Sequence, residues 1–357
     1  MDISVQTQRA ILAFFVVIGP LIFFHELGHF LAARWNKIKV EEFGIGLPPR
    51  MLTLFQQGGT RFTLNWLPLG GFMRPAGEDD PSVAEGLAGA SKMARLEVLA
   101  AGPFANIVVA FLLLVVMFMI GAPDVQPGAK VQLVEAGSPA AAGGLQVGDI
   151  ILKVDNTTVD QSDTLTNFIY SHKGQPILVT FQRGSATQTT TITPRVNPPD
   201  GQGPTGIQIQ EITVLKRYDL FSSIGMASNQ FADFFVKFAQ VPSMVMNNQV
   251  AARNLRPLSF VGISQVGGEY ITTSVEQNAL WPIIQLTAYI SLALALTNLL
   301  PIPALDGGRI LFVIIEAVRG RRVDPRRETM VHLVGFAMLL AAMLVFVYLD
   351  ITDPLIK

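Results

Sequence analysis

The chain has 357 residues, 50% of them hydrophobic and only 15% charged, with a formal net charge of -1, and its mean hydropathy is +0.42. So apolar a balance excludes an ordinary soluble enzyme, and the missing basic surplus excludes a nucleic-acid partner, whose phosphates would need a positive face. There is no cysteine, so disulfides are excluded and any zinc site must be built from histidine and carboxylate.

The first predicted element is an apolar run from about Ala10 to Ala33, long enough to span a bilayer, which takes roughly 20 residues. It is too long for a signal-peptide core and no small-residue cleavage site follows cleanly, so it reads as a retained span. Inside it lies Phe24-His25-Glu26-Leu27-Gly28-His29-Phe30. On a helix His25 and His29 sit one turn apart on one face, so both imidazoles can reach a single Zn²⁺. Glu26 is then held beside the metal, where it can take a proton from an activated water. An ionisable group at the bilayer centre costs from about 2.5 to more than 10 kcal/mol, so such residues mark a functional cavity rather than a chance match.

Leu52 to Leu64 reads as a β-hairpin, Leu52-Thr53-Leu54-Phe55 turning through Gly58-Gly59 into Phe62-Thr63-Leu64. Leu99 to Ile120 is the second span. From Val131 to about Thr193 the pattern becomes that of a compact β-rich unit, with alternation through Ile177 to Gln182 and Thr187 to Thr193. Its glycine-flanked run Gly144-Leu145-Gln146-Val147-Gly148-Asp149-Ile150-Ile151-Leu152 resembles PDZ domains, a fold whose groove can take an extended peptide as an added strand; a folded spacer with an unused groove is the plainer alternative. A Pro/Gly-rich linker, Pro194 to Pro204, leads to Asp219 to Met246, which is amphipathic at helical spacing and too polar to span. The third apolar region, Trp281 to about Ala317, is broken by Pro301 and Pro303, and the fourth runs from Val331 to Leu349.

Lysine and arginine between the first and second spans, and Arg319, Arg321, Arg322, Arg326 and Arg327 between the third and fourth, predict a cytoplasmic side for those loops. Both termini and the β-rich unit then face outward. His29 would lie roughly 8 Å and His25 roughly 14 Å inside the cytoplasmic boundary, counting 1.5 Å per helical residue. A catalytic zinc usually has three protein ligands. Of the four histidines, His172 falls in the outward unit and His332 at the start of the last span. Asp306, in Leu305-Asp306-Gly307-Gly308, is the better candidate, because the chain breaks there at membrane depth, where non-helical backbone has to be buried in protein or line a watery cavity. If the stretch to Arg319 is helical, Asp306 lies roughly 20 Å deep, an offset that tilt would have to absorb.

Together these stretches, with Pro68-Leu69-Gly70-Gly71-Phe72, Ala101-Gly102-Pro103-Phe104-Ala105-Asn106 and Asn298-Leu299-Leu300-Pro301-Ile302-Pro303, resemble the site-2 protease family of intramembrane zinc metalloproteases, above all its bacterial regulator of sigma-E protease group. The resemblance implies that His25, His29 and Asp306 bind Zn²⁺, that Glu26 is the catalytic base, and that Asn298 lies near the substrate backbone. It implies a multi-pass protein of the bacterial cytoplasmic membrane. Its partners would be the lipid bilayer and single-span membrane proteins, such as anti-sigma factors or remnant signal peptides. It also turns the hairpin from a soluble cap into a membrane-associated element whose free edge pairs with an unwound substrate.

The expected fold class is a polytopic α-helical membrane protein of about four transmembrane helices with one inserted extracytoplasmic PDZ-like domain. Its boundaries are 1–127 for the N-terminal membrane domain, 128–196 for the PDZ-like domain, 197–279 for a linker and amphipathic helical region, and 280–357 for the C-terminal membrane domain. Two other readings stay open: a membrane scaffold recruiting partners through the PDZ-like groove, and a metal transporter using the intramembrane His and Asp as a transit site. The first leaves the buried His and Asp unexplained, the second the glutamate beside His25.

Overall fold

The computed structural model describes residues 3–78, 80–199, 201–247 and 256–354. They divide into two compact units, one made of the chain up to Gly121 and from Tyr218 onward, the other of Ala122–Arg217.

The first unit opens with α1 (Ile3–Ala13), a π-helical segment (Phe14–Ile18) and α2 (Gly19–Trp35), which run on as one apolar helix. There follow the antiparallel strands β1 (Val40–Gln57) and β2 (Thr60–Pro75), then α3 (Lys92–Ile120). The strands meet at Gly58-Gly59, with φ of 58° and 82°, the left-handed pair that a tight hairpin turn demands and glycine supplies without strain. They are far longer than the expected Leu52–Leu64 and carry register shifts, so that Phe43 lies opposite Met73 on one side and Phe62 on the other.

The second unit consists of β3 (Ala122–Val134), the short α4 (Pro139–Ala142), β4 (Ile150–Val154), β5 (Thr157–Thr158), α5 (Ser162–Ser171), β6 (Ile177–Arg183), β7 (Ala186–Ile192) and β8 (Ile207–Lys216). The sheet order is β7-β6-β4-β3-β8, with β5 paired to β4. Val131, Ile151, Val154, Leu165, Ile177, Val179 and Phe181 form its core. Here the structure corrects the expected boundaries of 128–196. β8 lies in the stretch assigned to a linker and helices, and it pairs with β3 from Ala122 opposite Lys216 to Val134 opposite Ile207. The Pro-rich segment is a loop inside the unit, closed by the Arg195 amide donating to the Pro204 carbonyl at 2.8 Å.

Back in the first unit come α6 (Leu220–Met246), α7 (Phe260–Glu276), α8 (Trp281–Leu299), α9 (Asp306–Arg319) and α10 (Pro325–Thr352). Among the described residues four helices are long and apolar enough to cross a membrane: Val5–Trp35, Lys92–Ile120, Trp281–Leu299 and Pro325–Thr352. Leu333, Phe336, Leu340 and Leu344 of α10 are exposed, as expected where hydrocarbon is the solvent. Lipid tails leave no hydrophobic force between helices, so close contact is made by small residues. Gly267 and Gly268 of α7 press on Ala13 and Ala10 of α1, and Gly28 of α2 lies under Ala101 and Ala105 of α3. The third apolar region is two helices, α8 and the amphipathic α9: the stretch from Asp306 to Arg319 is helical, as the depth count supposed, but α9 is not one of the four spanning-length helices, so its rise need not run along the bilayer normal.

Candidate metal centre and active site

The His-bearing helix α2 packs on α3. That contact is close because two glycines face the opposite helix: a Cβ at Gly28 would strike the Ala101 carbonyl, and one at Gly102 would strike the His29 ring and come within 2.8 Å of His25 Nε2. The imidazoles are thereby pressed against bare backbone. His29 is buried, and its Nδ1 lies 2.7 Å from the Val98 carbonyl. A carbonyl can only accept, so Nδ1 carries a hydrogen, and in the neutral ring Nε2 then presents its lone pair. Pro103 lies inside α3; lacking an N–H, it leaves the carbonyl of Leu99, the residue after Val98, without its helical donor.

Asp306 arrives from the other end of the chain as the first residue of α9. Its Oδ2 is 3.1 Å from His25 Nε2 and 3.4 Å from His29 Nε2, and the two Nε2 atoms are 3.1 Å apart. The potential ligand atoms of these three residues all lie within 4.8 Å of one another, the one such cluster among the described residues. Chemically the arrangement is three potential ligand atoms converging on one point. Asp306 Oδ2 is buried without a hydrogen-bond donor, and a neutral His29 that donates from Nδ1 has only a lone pair at Nε2 to set against it. A cation resolves that conflict. Bonds of 2.0–2.2 Å in a tetrahedron separate ligand atoms by about 3.3 Å, close to all three distances, so the residues fit zinc.

Glu26, between the two histidines in sequence, is half-buried and within electrostatic reach of His25, His29, Asp306 and Glu78. The hairpin touches the same helix: a Cβ at Gly71 of β2 would come within 3.1 Å of Glu26 Cβ and 3.0 Å of Phe23 Cα. Asn298 stands half-buried in the last turn of α8, just before the non-helical link to Asp306. The structure thus brings His25, His29 and Asp306 to one point and sets Asn298 on the link that leads there. His172 lies in the second unit.

Residue types alone pointed to none of the supporting groups. The Val98 carbonyl belongs to the backbone, and Gly102 matters for what it lacks. Asn106, fully buried on α3, puts its side-chain amide 3.4 Å from His25 Nδ1. A buried ion pair, Arg95 to Glu316 at 2.6 Å, ties α3 to α9 below the cluster.

The profile of peptidase family M50 matches residues 13–342. Zinc metalloprotease RasP of Geobacillus kaustophilus is 27% identical over 430 residues, covering 97% of this chain and 99% of its own. A protein of Agrobacterium fabrum is 30% identical over 371 residues, covering 96% of both chains. Among solved structures, the PDZ domain of an SdrC-like protein from Listeria monocytogenes matches 23% of this chain and 86% of its own, at 25% identity and a TM-score of 0.21.

Proposed function

The chain belongs to peptidase family M50 and is a zinc metalloprotease of the site-2 type in a bacterial membrane, and from that premise we propose that it cleaves single-span membrane proteins within the bilayer, with His25, His29 and Asp306 as its zinc ligands and Glu26 as its base. The convergence of three potential ligand atoms, His25 Nε2, His29 Nε2 and Asp306 Oδ2, carries this reading.

When bound, zinc supplies a Lewis acid that polarises the scissile carbonyl and makes water acidic enough to attack near neutral pH. The chain's own residues do the rest. Glu26 takes the proton from the attacking water and returns it to the leaving amine as the C–N bond breaks. His29 is held in its working tautomer by its Nδ1–H donating to Val98. A substrate helix hides its peptide bonds in its own hydrogen bonds, so it has to be drawn out before attack. The β1–β2 hairpin, lying against the catalytic helix at Gly71, offers strand edges on which an unwound segment can pair. Asn298 is positioned in sequence to hold the extended backbone.

Loop charge supports an orientation in which the Arg319–Arg327 loop is cytoplasmic and the termini and second unit are outside. That unit, PDZ-like in its sequence, would take extended peptide ends. Anti-sigma factors and remnant signal peptides are the substrate classes.

The test is Glu26→Gln in the full chain. The variant is expected to keep stoichiometric zinc and to lose cleavage of a transmembrane substrate, which copurifies with it uncut. Appreciable cleavage by this variant removes Glu26 from the mechanism.

A further inference from the structure

The fourth histidine, His332, stands outside the His25–His29–Asp306 cluster, yet it touches the segment that delivers Asp306. That segment, residues 300–305, is wound tightly over the start of α9. The Ile302 amide donates to Leu300 at 2.7 Å and the Gly308 amide to Leu305 at 3.1 Å. A Cβ at Gly307 or Gly308 would collide with the carbonyls of Leu299, Leu300 or Ile302. Within it Ala304 has φ of +75°, a left-handed conformation that costs a residue with a Cβ about 1–2 kcal/mol and persists only where its surroundings impose it.

The imposing contact comes from α10. The Ala304 amide donates to His332 Nδ1 at 2.9 Å. One turn on, Gly335 presses on the preceding residue: a Cβ there would come within 2.9 Å of the Pro303 carbonyl oxygen. The Phe312 ring of α9 lies 5.4 Å from the imidazole, steadying it from the other side. Gly335 and Asp350 are the buried residues of α10, so the helix does not hold the link through broad packing. It grips at Pro303 and Ala304, two residues before the carboxylate.

We propose that His332 is a positioning residue for the metal site: its Nδ1 holds the Ala304 amide and keeps the link in the left-handed turn that aims Asp306 at His25 and His29. The inference rests on the reading of Asp306 as a ligand. It demands an acceptor at one place, Nδ1, so side-chain size alone cannot satisfy it. Asparagine carries its amide oxygen close to where histidine carries Nδ1, whereas glutamine carries it near Nε2.

The experiment uses the full-length protein in detergent. Zinc dissociation constants are measured by competition with a chromophoric chelator, and Co²⁺-substituted protein is examined by its ligand-field absorption. Asp306→Ala is expected to lose zinc affinity by more than about 100-fold, and His332→Ala and His332→Gln by about 10- to 100-fold, the range for removing an outer-shell partner. His332→Asn should stay within about 3-fold of wild type and restore the cobalt spectrum. Wild-type affinity and spectrum in His332→Ala, with loss in Asp306→Ala, would overturn the role of His332 and leave Asp306 a ligand. Equal losses in His332→Asn and His332→Gln would overturn it too. Wild-type affinity in Asp306→Ala would instead remove the reading on which the inference stands.

Discussion

Gly102 faces His29 with no room for a β-carbon between them. The ring that presents a ligand atom therefore rests on helix backbone, and any side chain at 102 has to push it away. Gly102→Ala is expected to lower zinc affinity at least about 10-fold, as loss of ligand support does, and Gly102→Val further. Zinc content after dialysis, compared with that of Gly225→Ala, whose Cβ meets nothing within 4 Å, measures the effect.

On the proposed ligand set, removing one member leaves two groups where a catalytic zinc takes three. His25→Ala, His29→Ala and Asp306→Ala should each purify with substoichiometric zinc and without proteolysis, whereas Glu26→Gln keeps its metal. Chelation of the wild-type protein should abolish cleavage and lower its thermal midpoint, because a metal bound only by the folded state adds to stability. An unchanged midpoint after complete zinc removal would show that the site is equally stable without its ion.

Arg95 and Glu316 are both largely buried at 2.6 Å. Arg95→Met strands a carboxylate and should cost about 3–5 kcal/mol. The pair Arg95→Met with Glu316→Leu should recover most of that, since an apolar pair often replaces a buried ion pair at little cost. Thermal midpoints of the four proteins in one detergent complete the cycle.

In the second unit Asp149 is buried and receives Arg183 Nε and Nη2 at 2.7 Å each and the Gln146 amide at 2.8 Å. Burial alone would raise its carboxyl, but Arg183 and the amide together hold it below the ordinary range. The unfolded chain thus takes up the proton first. The stabilisation is complete above the unfolded value of about 3.9 and is lost as pH falls through the folded one. Hydrogen-exchange protection across Ala122–Arg217, relative to the intrinsic rate at each pH, should fall below about pH 4 in wild type. Asp149→Ala, about 3 kcal/mol less stable, should show fast exchange already at pH 7.

How far the chain can be read without coordinates depends on where its chemistry sits. His25, Glu26 and His29 stand out because charge inside an apolar run is costly, and Asp306 because a proline-broken segment cannot lie bare in lipid. The hairpin was visible only at its glycine turn. Beyond it Gly44, Pro48, Pro49, Gly70 and Gly71 interrupt the alternation that marks a strand. β8 escapes a reading of the sequence because only Ile207 and Ile209 keep strand spacing before the alternation slips ahead of Ile212, and because the prolines before it resemble the end of a domain. His332 was set aside as a ligand, and its bond to Ala304 depends on a helix crossing that local pattern does not encode.

The π-helical segment at Phe14–Ile18 gives the first span a seam. Upstream, Arg9, Ala10 and Ala13 engage Thr272, Gly268 and Gly267 of α7; downstream, Gly28 and the two histidines engage α3. A π turn holds one residue more than an α turn, and each residue advances an α-helix by about 100°. The seam therefore acts as a phase shifter, letting one rod face two unrelated neighbours. Shortening it by one residue would leave every side chain in place along the sequence and yet turn the histidines away from Asp306, or Ala10 away from α7.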